Sequence, residues 1–349
     1  MKELMKGNEA FAEAAIRAGC RFFAGYPITP QSEVLEYLSR RMPEVGGVFI
    51  QSESELAGIS MVYGAAAAGF RAMTSSSGPG YSLLQEGISY IASAELPCVV
   101  MDVMRYGSGL GDIFTGQSDY WQAVYNGGHG DYRTIVYAPS SVQEMADLTV
   151  MAFGKAEERR NPVTILSDAS ISQMMAPVEL PAMACHDPDA PAWALKGKGN
   201  GHFKRHTSVM YYMNEYDGYV RAKYEKIEKE DQRWESLETE DAEIVLVAYG
   251  ISSRICEEAM RSARAQGRRV GLIRPISLYP YPVNAFDGLA PRAFLSVEMS
   301  ALGQMARDVA LACGMRAPVY SMLGGTRLYS CSDVEARIGE ILGAAHGAF

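Results

Sequence analysis

Two polar segments early in the chain carry side chains whose types and spacing could do chemistry. The first is Tyr26-Pro27-Ile28-Thr29-Pro30, in which two prolines restrict the backbone and hold the Thr29 hydroxyl beside a predicted helix start. Unpaired N–H groups at a helix start favour a bound carboxylate. Two interpretations remain open on these residues alone: Thr29 helps to bind an anion, or it only caps the helix.

The second segment is the acidic run Gln51-Ser52-Glu53-Ser54-Glu55, which precedes an apolar helix rich in small residues. A carboxylate at this position could exchange a proton with a ligand, or it could only complement the helix dipole. On composition alone, the dipole interpretation is favoured for both Glu53 and Glu55.

Two further segments follow predicted strands. Ser76 and Ser77 belong to a hydroxyl and glycine cluster that could donate hydrogen bonds, but it lacks the Gly-Lys-Ser/Thr ending of a nucleotide loop. Arg105 ends a strand and precedes a glycine-rich loop beginning with Tyr106. Such an arginine could hold a substrate carboxylate with two hydrogen bonds, and the loop could close over it; alternatively, the arginine is a structural ion pair. His129 is interpreted as a turn residue, not a base.

Helical and β-rich patterns alternate along the first half of the chain, which predicts a doubly wound parallel sheet with helices on both faces. Ligands bind such sheets where strands end and helices begin. The predicted strands are 21–26, 48–51, 71–74, 98–102, 134–137 and 163–166, and the predicted helices include 8–18, 54–68, 81–93, 118–125 and 140–158.

The pattern changes after Pro181. Residues 185–210 read as an irregular connection, and a charged helix is predicted from Met213 to Leu237. A second α/β unit starts at the apolar strand 243–250. We therefore expect three parts: a first domain over 1–184, a connector over 185–240 and a smaller α/β domain over 241–349.

Composition excludes several classes of protein. The formal charge of −9 argues against nucleic acid as the main partner, because phosphate binding needs a basic surface. No apolar run is long enough for a membrane span, and the N-terminus does not resemble a secretion signal, so a cytoplasmic location is expected. The six cysteines are scattered and have neither iron–sulfur nor zinc spacing, and no metal site is expected in this chain.

Taken together, these segments resemble the α subunit of the 2-oxoacid:ferredoxin oxidoreductases, and most closely the branched-chain 2-oxoisovalerate type. The resemblance covers essentially the whole chain. Its markers are 5–10, 25–30, 53–55, 87–90, 128–133 and 138–141, among which the Tyr-Pro-Ile-Thr-Pro element is highly specific.

This resemblance implies that the first domain is the pyrimidine-binding domain of a thiamine-diphosphate enzyme and that the smaller one resembles the transketolase C-terminal domain. The activating glutamate of the family precedes a helical glycine by nine residues, which fits Glu55 with Gly64 and not Glu53. That glutamate hydrogen-bonds the aminopyrimidine and promotes formation of the reactive ylid.

The same resemblance implies the remaining roles. Thr29 and Arg105, assisted by Tyr26 and Tyr106, would bind the substrate carboxylate, and Pro27, Ile28, Ser76 and Ser77 would line the cofactor. The reaction would be the coenzyme-A-dependent oxidative decarboxylation of a 2-oxoacid to acyl-CoA and CO₂, with electrons passed to ferredoxin.

The Gly-Asp-Gly…Asn segment that holds Mg²⁺ and the diphosphate in thiamine enzymes is missing from this sequence, and Ser167-Asp168-Ala169 does not replace it. A β-type partner is therefore expected to supply the diphosphate site and a [4Fe-4S] cluster, with γ-type and ferredoxin-like subunits completing the complex.

Departures from the family pattern at Gly78, Tyr81, Tyr106 and Ser108 leave the preferred 2-oxoacid open. Two alternatives stand beside this reading. One is a non-oxidative thiamine-diphosphate decarboxylase or transketolase-like subunit, and the other is a catalytically silent structural subunit.

Overall fold

A computed structural model of the chain describes residues 2–197, 206 and 216–344. The first elements in chain order are β1 (Lys2–Lys6), α1 (Gly7–Arg17), β2 (Phe22–Gly25), α2 (Ser32–Glu44), β3 (Val48–Gln51), α3 (Glu55–Ala67), β4 (Ala72–Ser76), α4 (Pro79–Ser93), β5 (Val99–Met104), α5 (Tyr120–Val124), β6 (Ile135–Tyr137), α6 (Val142–Arg159), β7 (Val163–Asp168) and α7 (Ala169–Gln173). The remaining elements are β8 (Met175–Glu179), α8 (Tyr216–Glu230), β9 (Trp234–Leu237), β10 (Ile244–Val247), α9 (Gly250–Ala265), β11 (Val270–Pro275), β12 (Ser277–Tyr279), β13 (Ala293–Glu298), α10 (Ala306–Ala312), β14 (Val319–Leu323) and α11 (Cys331–Ala344).

The larger sheet has the strand order β12-β6-β7-β5-β4-β2-β3. Its six strands from β6 to β3 are parallel, as predicted, and β12 is antiparallel to β6 at the edge. From β2 the chain moves outward to β3 and then returns past β2 to β4. The connections therefore leave β2 in opposite directions, which creates a switch point between β2 and β4 where open α/β sheets bind ligands.

Close packing of α3 against α4 positions the two helices beside that switch point. Small and apolar residues fill α3, and Ile59 and Val62 are fully buried in the core. On α4, Gly87 faces Ile59 so closely that a Cβ at Gly87 would lie 2.3 Å from Ile59 Cγ2. Because any side chain there would separate the helices, this glycine helps to set the position of their N-terminal ends.

The smaller sheet has the order β14-β13-β10-β11-β9, with four parallel strands and β9 antiparallel to β11. This matches the predicted second α/β unit. The strand β12, which the sequence did not indicate, follows β11 immediately and crosses to the larger sheet, where Ser277 pairs with Tyr137. The two sheets are thus linked by one short stretch of chain, and the predicted division at 184 and 240 stays a prediction.

The predicted helix 213–237 is too long at its C-terminal end, and residues 213–215 lie outside the described part of the chain. The helix α8 ends at Glu230, and Trp234–Leu237 is the edge strand β9. Asp231, which follows the helix, is fixed by a hydrogen bond from Arg159 Nε at 2.7 Å. Backbone pairing with β11 then gives the next residues a strand conformation that the charged composition did not indicate.

Other predicted boundaries agree closely with the structure. The small two-stranded sheet of β1 and β8 was not predicted. The irregular connection is confirmed over 185–197, whereas 198–205 and 207–210 lie outside the described residues. No helix within the described ranges is both long and apolar enough to cross a bilayer.

Buried polar contacts join the two sheets at the end of β7. Asp168 accepts hydrogen bonds from Ile171 N at 3.0 Å and from Ile251 N, at the start of α9, at 2.7 Å. Gln117 donates from Nε2 to Tyr249 O at 3.0 Å and accepts from Met299 N at 2.9 Å. Since these groups are buried, the second unit covers part of the larger sheet's carboxyl edge and leaves the β2–β5 side for a ligand.

Candidate active site

The predicted functional residues lie at one edge of the larger sheet, immediately after four neighbouring strands. Segment 26–30 follows β2, Glu55 follows β3, Ser76 and Ser77 end β4 and Arg105 follows β5. Because the carboxyl ends of parallel strands meet at the same edge, segments up to 79 residues apart in sequence converge there.

Glu55 is the first residue of α3. Ser54 caps this helix by accepting a hydrogen bond from Ala57 N at 3.3 Å, which fixes where the helix begins. The Glu55 side chain is only 6% exposed, and its Oε1 accepts a hydrogen bond from Ser76 Oγ at 3.3 Å. Glu53, in contrast, is exposed. The fold therefore distinguishes two acids that are only two residues apart.

A glycine in the first turn of α4 makes room for this carboxylate. A Cβ at Gly80 would lie 2.2 Å from Glu55 Oε1 and 2.1 Å from Ser76 Oγ, well inside contact distance. Gly80 thus permits the Glu55–Ser76 pair to lie against the helix start. The sequence analysis included Gly80 in the hydroxyl and glycine cluster but did not recognise this role.

Arg105 is 5% exposed and ties together two of the predicted segments. Its Nη1 donates to Thr29 O at 3.0 Å, and its Nη2 donates to Leu110 O at 2.6 Å in the following loop. Its Nε is buried and has no hydrogen-bond partner within the described part of the chain. Thr29 is exposed and is not the N-cap of α2, which is Gln31, so its proposed role in binding stays a prediction.

The turn between β4 and α4 lies between Arg105 and Glu55. At one end of this turn, Gly78 has a φ of +47°, and a Cβ there would lie 3.3 Å from Arg105 Nε. At the other end, Gly80 contacts Glu55. The guanidinium and the carboxylate therefore border the same segment, residues 78–80. The hydroxyl of Ser77, which precedes it, is buried and has no hydrogen-bond partner among the described residues.

The other predicted residues surround this centre at different depths. Tyr26 is 39% exposed, Pro27 is exposed and Ile28 is half-buried. The ring of Tyr106 is directed toward the second unit, since a Cβ at Gly325 would lie 3.8 Å from its hydroxyl. His129, in its glycine-rich turn, is exposed and makes an edge contact with the Tyr90 ring.

One contributor that the sequence did not single out is Gln31, which holds the Tyr26–Pro30 loop onto the sheet. Its side chain is fully buried, accepts a hydrogen bond from Ser75 Oγ at 2.6 Å and donates to Tyr26 O at 3.1 Å. Nothing in its sequence neighbourhood distinguishes it from an exposed helix-start residue.

Two buried acids also escaped the sequence analysis. Asp102 is fully buried in β5 and Asp119 is 6% exposed. Burial, with the repulsion between these two carboxyls, raises the pKa of Asp102 well above its usual range. Burial also raises the pKa of Asp119 to about 6. An acid inside the apolar run Val99–Met104 was the available signal.

Tyr81, one of the departures from the family pattern that were expected to bear on substrate preference, is fully buried in the core, where its hydroxyl lies 3.2 Å from Thr164 Oγ1. Four of the six cysteines are buried, namely Cys20, Cys98, Cys256 and Cys313. No group of three or more metal-ligating side chains is found within 2–197, 206 and 216–344.

Comparison with known proteins identifies the family. Residues 13–241 match the family described as pyruvate flavodoxin/ferredoxin oxidoreductase, thiamine diphosphate-binding, and residues 242–334 match pyruvate:ferredoxin oxidoreductase core domain II. The ketoisovalerate oxidoreductase subunit VorB of Methanothermobacter marburgensis is 50% identical over 99% of both chains. The 2-oxoglutarate synthase subunit KorA of Methanocaldococcus jannaschii is 40% identical over 89% of this chain and 92% of that one.

Comparison with solved structures gives a consistent result. The 2-oxoglutarate:ferredoxin oxidoreductase from Magnetococcus marinus, determined with 2-oxoglutarate, coenzyme A and succinyl-CoA bound, superposes with a TM-score of 0.85 at 26% identity. The match covers 97% of this chain and 65% of that chain. A split-gene transketolase shares the fold at a TM-score of 0.60 and 13% identity. The chain therefore belongs to the 2-oxoacid:ferredoxin oxidoreductase family, and its thiamine-diphosphate-binding α/β fold with a smaller second α/β unit is the one that its sequence predicts.

Proposed function

We propose that this chain is the α subunit of a complex that oxidatively decarboxylates a 2-oxoacid to acyl-CoA and CO₂ and passes the electrons to ferredoxin. The observation that carries the proposal is the buried Glu55 carboxylate, which borders the same glycine turn as Arg105. The 50% sequence identity to a ketoisovalerate oxidoreductase subunit favours a branched-chain 2-oxoacid as the preferred substrate.

The residues at the site fit the pyrimidine side of thiamine diphosphate. Glu55 Oε1 is engaged by Ser76, which leaves Oε2 to meet a ring nitrogen, and Gly80 keeps the space beside the carboxylate free of a side chain. The buried hydroxyl of Ser77 has no partner among the residues that the structure describes and can serve a ligand, and Pro27 and Ile28 offer apolar surface. When bound, this cofactor supplies a carbanion that attacks the 2-oxo group and accepts the electrons left by CO₂ loss.

Each predicted site residue then has a defined role in the reaction. Glu55 holds and moves a proton at the cofactor's ring nitrogen, and Ser76 fixes the orientation of its carboxylate. Arg105, with Thr29, binds the carboxylate of the 2-oxoacid through charge-assisted hydrogen bonds. Tyr26 and Tyr106 border the substrate beside Thr29 and Arg105, respectively.

Partner chains complete the enzyme in this proposal. A β-type subunit holds the diphosphate, Mg²⁺ and a [4Fe-4S] cluster, and γ-type and ferredoxin-like subunits complete a cytoplasmic complex. The naming of the matched relatives as subunits supports a multi-chain assembly.

The test uses the native complex purified with Glu55→Gln. We expect 2-oxoacid-dependent reduction of a viologen dye, in the presence of coenzyme A, to fall by about 10²–10⁴-fold. Glu53→Gln is the matched control, because Glu53 is an exposed acid two residues earlier, and it should retain full activity.

A panel of aliphatic, dicarboxylic and aryl 2-oxoacids defines the substrate class in the same assay. Dye reduction by none of them would refute the proposed reaction. Unchanged activity of Glu55→Gln would instead favour a silent structural subunit, and CO₂ release without dye reduction or acyl-CoA would favour a non-oxidative decarboxylase.

A further inference from the structure

Behind Arg105 lies a pair of buried carboxyl groups that the proposed chemistry does not use. Asp102 is fully buried, and neither of its carboxyl oxygens accepts a well-formed hydrogen bond from the described residues. Asp119 accepts a hydrogen bond from Gln122 Nε2 at 2.6 Å on Oδ1, whereas no side chain or backbone group of the described residues makes a well-formed hydrogen bond to its buried Oδ2. Backbone N–H groups of Gly78, for both acids, and of Arg105, for Asp119, lower the pKa of these carboxyls, but burial is the larger effect and favours a bound proton.

The pair is built onto the turn that separates Arg105 from Glu55. Asp102 pairs with Ser76 between β5 and β4, two residues before Gly78. Gln122, which holds Asp119, also donates from Nε2 to Gly78 O at 3.3 Å. Both acids are therefore attached to the segment against which the Arg105 guanidinium lies.

Arg105 is the cation that faces Asp102 and Asp119, and the other titratable side chains that face them are tyrosines. Tyr81 faces Asp102 from α4, and Tyr249 faces both acids from the start of α9; burial and the nearby acids raise the pKa of both hydroxyls well above the usual range. The tyrosines are therefore uncharged at neutral pH. Arg105 acts in the opposite sense and lowers the pKa of both acids.

Charge balance makes the protonation of the pair depend on substrate. With one proton on the pair and a charged Arg105, the buried cluster is neutral. A 2-oxoacid carboxylate on Arg105 adds a negative charge close to the buried carboxylate of the pair. Like charges in a buried site raise the affinity for a proton, so the cluster regains neutrality by taking a second one.

We propose that Asp102 and Asp119 are a positioning pair that takes up a proton from solvent when the substrate carboxylate binds Arg105 and releases it when that carboxylate leaves as CO₂. No bond to substrate is made, and the proton moves only between water and a carboxyl oxygen of the pair. This inference rests on the proposed role of Arg105.

The test measures KM and kcat of the native complex for its 2-oxoacid between pH 5.5 and 8.5 with saturating coenzyme A. Proton uptake linked to binding makes KM rise toward about tenfold per pH unit above pH 6. In Asp119→Asn the neutral amide removes this linkage, while its oxygen can still accept from Gln122. KM should then be independent of pH and lower than wild type at pH 8.

Asp147→Asn is the matched control, because Asp147 is an exposed acid on α6, and it should keep the wild-type slope. An unchanged slope in Asp119→Asn, or a flat profile in the wild type, would overturn the proposal. A purely structural role for Asp119 would lower kcat or stability without removing the pH dependence of KM.

Should Asp119→Asn fail to assemble, the wild-type complex still provides the answer. Binding of oxamate, a carboxylate that cannot decarboxylate, is measured by calorimetry in two buffers of different ionisation enthalpy. Uptake of close to one proton at pH 7 is expected, and uptake of none refutes the pair. Failure of the proposed function looks different, since no 2-oxoacid would then reduce the dye. Failure of the proposed role of Arg105 alone would leave the KM of Arg105→Lys unchanged at every pH.

Discussion

Replacing Gly80 by alanine tests whether the site depends on the Glu55 carboxylate lying against the start of α4. A Cβ at this position would lie 2.2 Å from Glu55 Oε1 and 2.1 Å from Ser76 Oγ, whereas ordinary contact begins at 3.4 Å. The carboxylate must therefore retreat by about 1.2 Å. A displacement of about 1 Å at a catalytic group costs on the order of 10²-fold in rate.

The stability of Gly80→Ala should change little, whereas its activity should fall. Alanine is a better helix former than glycine by up to about 1 kcal/mol, which offsets part of the steric strain. We therefore expect Gly80→Ala to fold and assemble, to keep the KM for 2-oxoacid and to lose about 10²-fold in kcat. The assay is viologen reduction by the native complex with 2-oxoacid and coenzyme A, alongside thermal unfolding and the subunit content.

Gly154→Ala is the matched control, because Gly154 lies in the middle of α6 and a Cβ there would meet no atom of the described residues within 4 Å. It should be fully active and slightly more stable. Full kcat in Gly80→Ala would refute the reasoning, because the Glu55 carboxylate would then tolerate displacement and would not be the proton-transfer group.

Three further changes test other contacts of the site. Ser76→Ala removes the hydroxyl bond to Glu55 and should lower kcat by up to about tenfold without altering KM, the kinetic equivalent of about 0.5–1.5 kcal/mol; loss of 2-oxoacid binding would contradict this. Arg105→Lys replaces a planar guanidinium that donates several hydrogen bonds by a single ammonium charge, and should raise the KM for 2-oxoacid by about 10–100-fold. The control Arg261→Lys, at an exposed arginine, should leave this KM unchanged. Burial raises the pKa of Asp168 to about 6, so the native state binds a proton more tightly than the unfolded chain. The resulting stabilisation is complete at low pH and is lost as pH rises through 6, up to about 3 kcal/mol; Asp168→Asn should abolish this difference in denaturant titrations at pH 4 and 7.

Much of the architecture was predictable because it depends on local patterns. Alternation of short apolar runs with helical periodicity predicted the parallel sheet and the second α/β unit, and Ser54 with the small-residue run marked the start of α3. The family resemblance also selected Glu55 over Glu53, in agreement with their burial. The catalytic role of Glu55 stays a prediction.

Pairing between strands that are distant in sequence could not be predicted from local patterns. The three-residue β12 gains its strand conformation from β6, some 140 positions earlier in the chain, and β9 gains its own from β11. The charged composition led to a predicted helix that continues to Leu237. In the structure, hydrogen bonding to β11 gives the residues after Asp231 a strand conformation instead. Local propensity cannot report partners that are distant in sequence.

The sequence by itself determined which residue types are available at the edge of the sheet: an acid after β3, hydroxyls after β4 and an arginine after β5. Only the tertiary structure decided which of them meet. It brings Arg105 to Thr29, places Gly80 against the Glu55 carboxylate, turns Tyr81 into the core and buries Asp102 and Asp119 behind the site. These outcomes depend on strand order and on close packing between elements, which fix distances that no single segment encodes.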